Sequence, residues 1–175
     1  MSSSTEPVKV LFVCLGNICR SPVAEGVLRD KISEKGLVAS VHIDSAGTGA
    51  WHVGEQPDRR MRLTARQFGV SLEDIRARKL ADEDLWTFDH IFAMDRSNYE
   101  DICYLDASGA YHSRVQLFRT FDPSADSPDV PDPYYGGQDG FERVFEMVDR
   151  TCDAITEYLI EQHSLSAIGE PGRHK

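Results

Sequence analysis

Residues 8–22 run Val8-Lys9-Val10-Leu11-Phe12-Val13-Cys14-Leu15-Gly16-Asn17-Ile18-Cys19-Arg20-Ser21-Pro22, and no other stretch limits the possible folds so tightly. Val8 to Val13 is almost continuously apolar, the pattern of a parallel strand covered on both faces. A short polar loop follows, opening on Cys14 and closing on Arg20. Pro22 then begins a helix in which Ala24, Val27, Leu28 and Ile32 recur at helical spacing up to a stop at Gly36. Gly16 and Asn17 tolerate the left-handed backbone that turns successive N–H groups inward, and the helix aims its positive dipole end at the same spot. Arg20 adds a planar fork for two oxygens, and Cys14 lies among positive partial charges that favour a thiolate. The loop therefore suits a dianion next to a nucleophile. The Cys-x5-Arg spacing alone keeps a second reading, a buried cysteine at a strand end and an exposed arginine at a helix start.

Downstream, strand and helix signals alternate. Val41 to Ser45 alternates as a strand in which His42 is a simple strand histidine, and Ala46-Gly47-Thr48-Gly49 releases it into a loop. That loop carries Trp51 and His52 and precedes a helix from about Pro57 to Phe68, closed by Gly69. Trp51 has two readings, an anchor of its own loop or one wall of a substrate slot. The basic run Ile75-Arg76-Ala77-Arg78-Lys79 reads as a solvated surface turn. Asp82 is expected to cap a short helix through Phe88, and His90 to Met94 forms a third strand. Asp95 at its carboxyl end falls where open parallel sheets hold ligands, as Cys14 does. Ser97-Asn98-Tyr99-Glu100 matches a capping box for the next helix. Val115 to Phe118 is the fourth strand, followed by a long loop, Arg119 to Gly140, rich in Asp and Pro. Phe141, Val144, Phe145, Val148, Cys152, Ile155 and Leu159 make one apolar stripe on a final helix, which puts Cys152 in the core.

With 175 residues the chain has the size of one domain, expected over residues 7–163, with residues 1–6 and 164–175 as flexible tails. A formal net charge of −10 argues against nucleic acid or an anionic membrane as partner, so any anion site must be local. No apolar run is long enough to span a bilayer and Met1 to Pro7 lacks signal-peptide character, which predicts a cytoplasmic protein. Cys14, Cys19, Cys103 and Cys152 show no metal-ligand spacing, so no metal and no cofactor is expected. A reducing compartment would keep these thiols free.

Cys14-Leu15-Gly16-Asn17-Ile18-Cys19-Arg20-Ser21-Pro22, placed directly after an apolar strand near the N-terminus, resembles the phosphate-binding loop of the low-molecular-weight protein tyrosine phosphatases. Asp44-Ser45-Ala46-Gly47-Thr48, Ala93-Met94-Asp95 and Asp132-Pro133-Tyr134-Tyr135 follow in that family's order, so the resemblance covers nearly the whole chain. It implies an α/β fold, an open four-stranded parallel sheet of order 2-1-3-4 with helices on both faces. It also implies hydrolysis of phosphotyrosine and aryl phosphate monoesters through a phosphocysteine on Cys14, with Arg20 holding the phosphoryl oxygens and Asp132 as general acid and base. Asp126 and Asp129 are expected to raise the proton affinity of Asp132. Leu15, Gly16, Asn17, Ile18, Cys19 and Ser21 complete the loop, and Ser21 can donate to the Cys14 sulfur. Trp51, Tyr134 and Tyr135 would flank the aromatic ring, and Ser45 and Asp95 would support the site. The implied partners are a tyrosine-phosphorylated protein or peptide and inorganic phosphate as product, acting on a monomer or weak homodimer. One departure stands out. Many relatives place a histidine in the supporting network shortly before an Ala-Arg pair, and this chain has Ile75 there.

Cys19 has two readings, an idle half-buried thiol or a partner that captures an oxidised Cys14 as a reversible disulfide. Two rival functions share the signals, an arsenate reductase of the same fold and a non-catalytic phosphotyrosine-binding module. The first usually needs a close pair of downstream cysteines, and the second is expected to lack the acid or the nucleophile.

Overall fold

The computed structural model describes residues 6–135 and 137–167. Its centre is a four-stranded parallel sheet of order β2-β1-β3-β4, built from β1 (Val8–Cys14), β2 (Val41–Gly47), β3 (His90–Ala93) and β4 (Val115–Leu117). As the unbroken apolar run requires, β1 is interior, and Val10 to Val13 are fully buried. The alternation of its side chains divides the core. Val10 and Phe12 face one layer, with Phe12 stacked on Phe92 and edge-on to Phe118, both at 5.7 Å between ring centroids. Leu11 and Val13 face the other layer with Leu85, Phe88 and Ile102.

The first layer holds α1 (Arg20–Glu34) packed on α5 (Gln138–His163), whose buried stripe runs from Phe141 to Leu159 and includes Cys152 at 0% exposure. The helix α2 (Arg59–Gln67) adds Met61 and Ala65 to it, while α3 (Asp84–Thr87) and α4 (Arg96–Leu105) serve the opposite face. Calls on residues 1–5, Gly136 and 168–175 fall outside the described residues. Leu165, just beyond α5, packs against the core. Among the described residues no helix is long and apolar enough to cross a membrane.

Several boundaries differ from the sequence expectation for physical reasons. The helix α1 begins at Arg20, not Pro22, because a first turn has no intrahelical acceptors for its N–H groups and so tolerates a proline. The strand β2 continues to Gly47 because pairing with β1 extends to Cys14 opposite Gly47. The cap of α4 is Asp95, whose extended backbone lets its carboxylate accept from the Asn98 N–H at 2.7 Å; Ser97 lies inside the helix. Asp82 likewise contributes only its backbone carbonyl, to the Leu85 N–H, and α3 is a single turn.

Residues 75–79 are not a solvated turn. Ile75 and Ala77 are buried, the Gly47 N–H donates to the Arg78 carbonyl at 2.9 Å, and the Leu80 N–H donates to the Gly47 carbonyl at 2.7 Å. This segment therefore runs as an edge alongside the carboxyl end of β2, where the backbone groups left unpaired by the sheet need partners.

Candidate active site

The carboxyl ends of β1, β2 and β3 deliver three groups of polar side chains to one place. Between β1 and α1 lies the loop 15–19. Asn17 occupies the left-handed region with φ of 56° and is fully buried. Its amide holds the loop in shape. Nδ2 donates to Ser21 Oγ at 2.8 Å and to Ser45 Oγ at 2.9 Å, and Oδ1 accepts from the Arg78 backbone N–H at 3.0 Å. Ser21 Oγ lies 2.9 Å from Cys14 Sγ. A hydroxyl that already accepts from Asn17 has its proton to give, so the sulfur is its natural recipient. From the β2 side the Thr48 and Gly49 N–H groups donate to the Cys14 and Leu15 carbonyls, each at 2.9 Å. No side chain caps the N-terminus of α1, whose cap position is Cys19 itself.

Ile75, standing where the supporting histidine was expected, sits in the core at 4% exposure. The network is closed by Glu25. Its Oε1 accepts from Ser45 Oγ at 2.5 Å, and its Oε2 pairs with Arg29 one turn on. Glu25 is 4% exposed, and burial raises its pKa above the ordinary value despite the Ser45 hydrogen bond and the Arg29 charge. A second ion-pair set braces the far side, where the Arg78 guanidinium grips Asp84 at 2.9 and 3.0 Å and reaches Asp44 at 3.1 Å.

Arg20 is 3% exposed and its NH1 is fully engaged, donating to Asp95 Oδ2 at 2.6 Å and to the Val130 carbonyl at 3.0 Å. Its NH2 lies 3.6 Å from Asp132 Oδ2. Burial alone would lower the pKa of this guanidinium, and Cys14, Asp95 and Asp132 reverse that and raise it. Asp132 also accepts from the Tyr134 N–H at 3.0 Å, so its carboxylate forms part of a tight turn. Asp126 and Asp129, expected to act on Asp132, are engaged elsewhere, by Arg119 and Arg96 respectively.

These groups line one cleft of about 310 Å³, bounded by Cys14, Leu15, Gly16, Ile18, Cys19 and Arg20 below and by Trp51, His52, Asp132 and Tyr134 at the rim. Trp51 both touches its own loop and lines the cleft. A Cβ on Gly49 would fall 2.0 Å from the Trp51 ring, so the indole packs against its own loop while the rest of it, largely exposed, borders the cleft. Arg60 donates to the Tyr134 carbonyl at 3.1 Å and lies 5.5 Å from its ring centroid. The Tyr135 side chain lies outside the described residues. His52 was not singled out from sequence as a site residue, although its place next to Trp51 was the available signal. Its ring packs on Gly16 and its Nδ1 is 2.6 Å from Glu55 Oε2.

The four cysteines are free thiols. Burial, then the charges of Asp58, Cys14 and Asp132, push the Cys19 thiol upward, which keeps it protonated. Burial does the same to Cys152, and neither Cys103 nor Cys152 lines the cleft. Among the described residues no group of three or more His, Cys, Asp or Glu is arranged to hold a metal ion.

Residues 9–165 match the family described as low molecular weight phosphotyrosine protein phosphatase. The low molecular weight phosphotyrosine protein phosphatase of Schizosaccharomyces pombe is 48% identical over 138 residues, 78% of this chain and 87% of that one. The low molecular weight protein-tyrosine-phosphatase YfkJ of Bacillus subtilis is 39% identical over 90% of this chain and 99% of its own. A crystal structure of a protein tyrosine phosphatase from Entamoeba histolytica, with Hepes in its active site, superposes with a TM-score of 0.83 at 38% identity, covering 90% of this chain and 99% of that one.

Proposed function

This chain belongs to the low molecular weight phosphotyrosine protein phosphatase family and is a protein-tyrosine phosphatase, and on that premise we propose how its own residues carry the reaction. The observation that carries the reading is the convergence of Cys14, Arg20 and Asp132 on one cleft, although more than a hundred residues separate the first from the last. The Cys14 thiolate attacks phosphorus in line, forming an S–P bond as the P–O bond to the leaving phenolate breaks. Arg20 and the loop N–H groups hold the equatorial oxygens, whose charge grows in the transition state. Asp132 gives its proton to the leaving oxygen, then takes one from the water that cleaves the phosphocysteine and releases inorganic phosphate. Nothing in this sequence of steps calls for a metal or cofactor.

The substrate is a tyrosine-phosphorylated protein or peptide. Leu15, Ile18, Trp51 and Tyr134 give the cleft apolar walls that fit a phenyl ring, and a short phosphoserine would leave them uncovered. We assign the activity to a single domain, residues 7–163, acting as a monomer or weak homodimer in the cytoplasm. The arsenate reductase reading is disfavoured because Cys103 and Cys152 stand away from the cleft. The binding-module reading is disfavoured because nucleophile, clamp and acid are all present.

The test is parallel turnover of aryl phosphate, phosphotyrosine peptide, phosphoserine peptide and arsenate. The first two should be hydrolysed and the last two left. Cys14→Ser should abolish turnover while phosphate still binds, and an active Cys14→Ser enzyme would overturn the mechanism. Asp132→Ala should lose roughly 10²-fold or more with poor leaving groups and much less with good ones. Equal losses would remove Asp132 from the acid role.

A further inference from the structure

We infer that Arg96 is a positioning residue for the general acid, acting through Asp129; the inference rests on the reading of Asp132 as that acid. Asp132 sits at the end of a long loop with no regular secondary structure before it except one short turn, so something must hold it at the cleft. Beyond the Arg20 NH1 hydrogen bond to the Val130 carbonyl at 3.0 Å, three contacts fix the loop shortly upstream. The Val130 N–H donates to the Met94 carbonyl at 2.8 Å and the Val130 side chain is 1% exposed. Arg119 NH1 donates to the Asp129 carbonyl at 2.9 Å. The third is a clamp from the first residue of α4. The Arg96 backbone N–H donates to Asp129 Oδ1 at 2.9 Å, Nε lies 3.3 Å from both carboxylate oxygens, and NH2 donates to Oδ2 at 3.0 Å.

A backbone N–H and a two-pronged guanidinium on one carboxylate fix its orientation as well as its distance. The hydrogen bonds from Arg96 correspondingly hold the Asp129 pKa below the usual carboxylate value.

The placement of the clamp matters more than its strength. Asp95, the preceding residue, accepts from Arg20 through Oδ2 while its Oδ1 caps α4. One turn of chain thus grips the phosphate-holding arginine with residue 95 and the acid-bearing loop with residue 96. Only Val130 and Pro131 separate Asp129 from Asp132. Loosening Asp129 leaves Val130 tied to Met94 and Arg20 and the phosphate loop in place, and takes from the acid's loop the clamp that orients its approach to the cleft.

The readout is the leaving-group dependence of kcat/KM, measured with 2,4-dinitrophenyl phosphate, whose phenolate leaves unaided, and phenyl phosphate, which needs the proton. Arg96→Ala should lower kcat/KM for phenyl phosphate about tenfold, a fraction of what a general acid contributes, and leave 2,4-dinitrophenyl phosphate within about twofold. Asp129→Ala should do the same, and the double variant should be no worse than either single one. A merely structural role would lower both substrates together. Asp132→Ala serves as the reference in the same assay. If Asp132→Ala shows no split between the two substrates, the reading of Asp132 fails. If it shows the split and Arg96→Ala does not, or if the two single losses multiply in the double variant, the inference about Arg96 is overturned alone.

Discussion

Gly47 offers the sharpest test of how the loop 15–19, proposed to hold the phosphate, is placed. It pairs opposite Cys14 at the end of the sheet, and a Cβ built on it would lie 2.7 Å from the Leu15 carbonyl oxygen and 3.1 Å from both the Asn17 nitrogen and the Gly16 carbonyl carbon. Carbon and oxygen in contact sit at about 3.3 Å or more, so Gly47→Ala must displace the loop by roughly 0.6 Å at Leu15. No side chain can swing away to absorb this, because all three neighbours are backbone. The loop is also held from other sides by the Gly49 N–H on the Leu15 carbonyl and by the His52 ring on Gly16.

A misplacement of about 1 Å in a reacting geometry costs on the order of 10²-fold, so the expected loss in kcat/KM is about tenfold. It should be the same for good and poor leaving groups, since Asp132 stands on a different loop. Inhibition by inorganic phosphate should weaken in parallel. Overpacking costs about 1–3 kcal/mol, partly offset by the roughly 0.5–1 kcal/mol that alanine gains over glycine within a strand. The thermal midpoint should then fall by only about 2–4 °C per kcal/mol lost, leaving a folded enzyme to assay. A Gly47→Ala enzyme with kcat/KM within twofold of the parent and unchanged phosphate inhibition would refute the claim that this missing side chain sets the loop.

Two further expectations concern stability. Asp122 is wholly buried between Arg119 and Arg150, with contacts of 3.4, 2.7 and 2.9 Å. Asp122→Asn weakens the charge-assisted hydrogen bonds from Arg150 and removes one of two carboxylates on the buried Arg119 guanidinium, which keeps Asp126 at 2.9 Å, so urea unfolding should show a loss of about 1.5–3 kcal/mol; no measurable loss would refute a stabilising role for the Asp122 charge. Glu25 supplies a pH signature. Because burial raises its folded pKa above the unfolded one, the native state binds that proton more tightly; the contribution is complete below the unfolded pKa and is lost as pH rises through the folded pKa. Glu25→Gln keeps an oxygen for Ser45 and cannot titrate, so its stability should gain on that of the parent as pH rises through this window. Parallel stability profiles of the two proteins would rule the idea out.

What the sequence makes legible follows from where each piece of information resides. The interior strand is visible because double-sided burial writes an apolar run, and α5 is visible because one-sided burial writes a stripe. Cys14, Arg20 and Asp132, which line one cleft, are visible because the proposed chemistry resides in their side chains. The segment 75–79 is misread because its service to the loop is rendered by backbone groups, the Arg78 N–H on Asn17 and the Gly47 pairing, and an N–H carries no residue signature. Arg78 meets Asp84 six residues on, but it meets Asp44 only after the fold has brought residue 44 beside residue 78. Glu25 looks like an ordinary helical acid. Its burial follows from α1 being covered by both β2 and α5, which no window along the helix reveals.

Asn17 meets two demands at once, a left-handed backbone and an amide that both donates and accepts. Glycine would accept a φ of 56° and forfeit all three amide hydrogen bonds. Aspartate would also accept the backbone and the Arg78 N–H, but it has no hydrogen to give to Ser21 or Ser45. Glutamine would carry the right amide on a stem one carbon too long for a pocket that leaves no exposed surface. Glycine, aspartate and glutamine each forfeit part of this set at position 17, and Ser21, Ser45 and the bend that offers the Arg78 N–H are tied together through one amide. A change at any of the four is therefore felt at the others, because each hydrogen bond of the Asn17 amide has its partner among them.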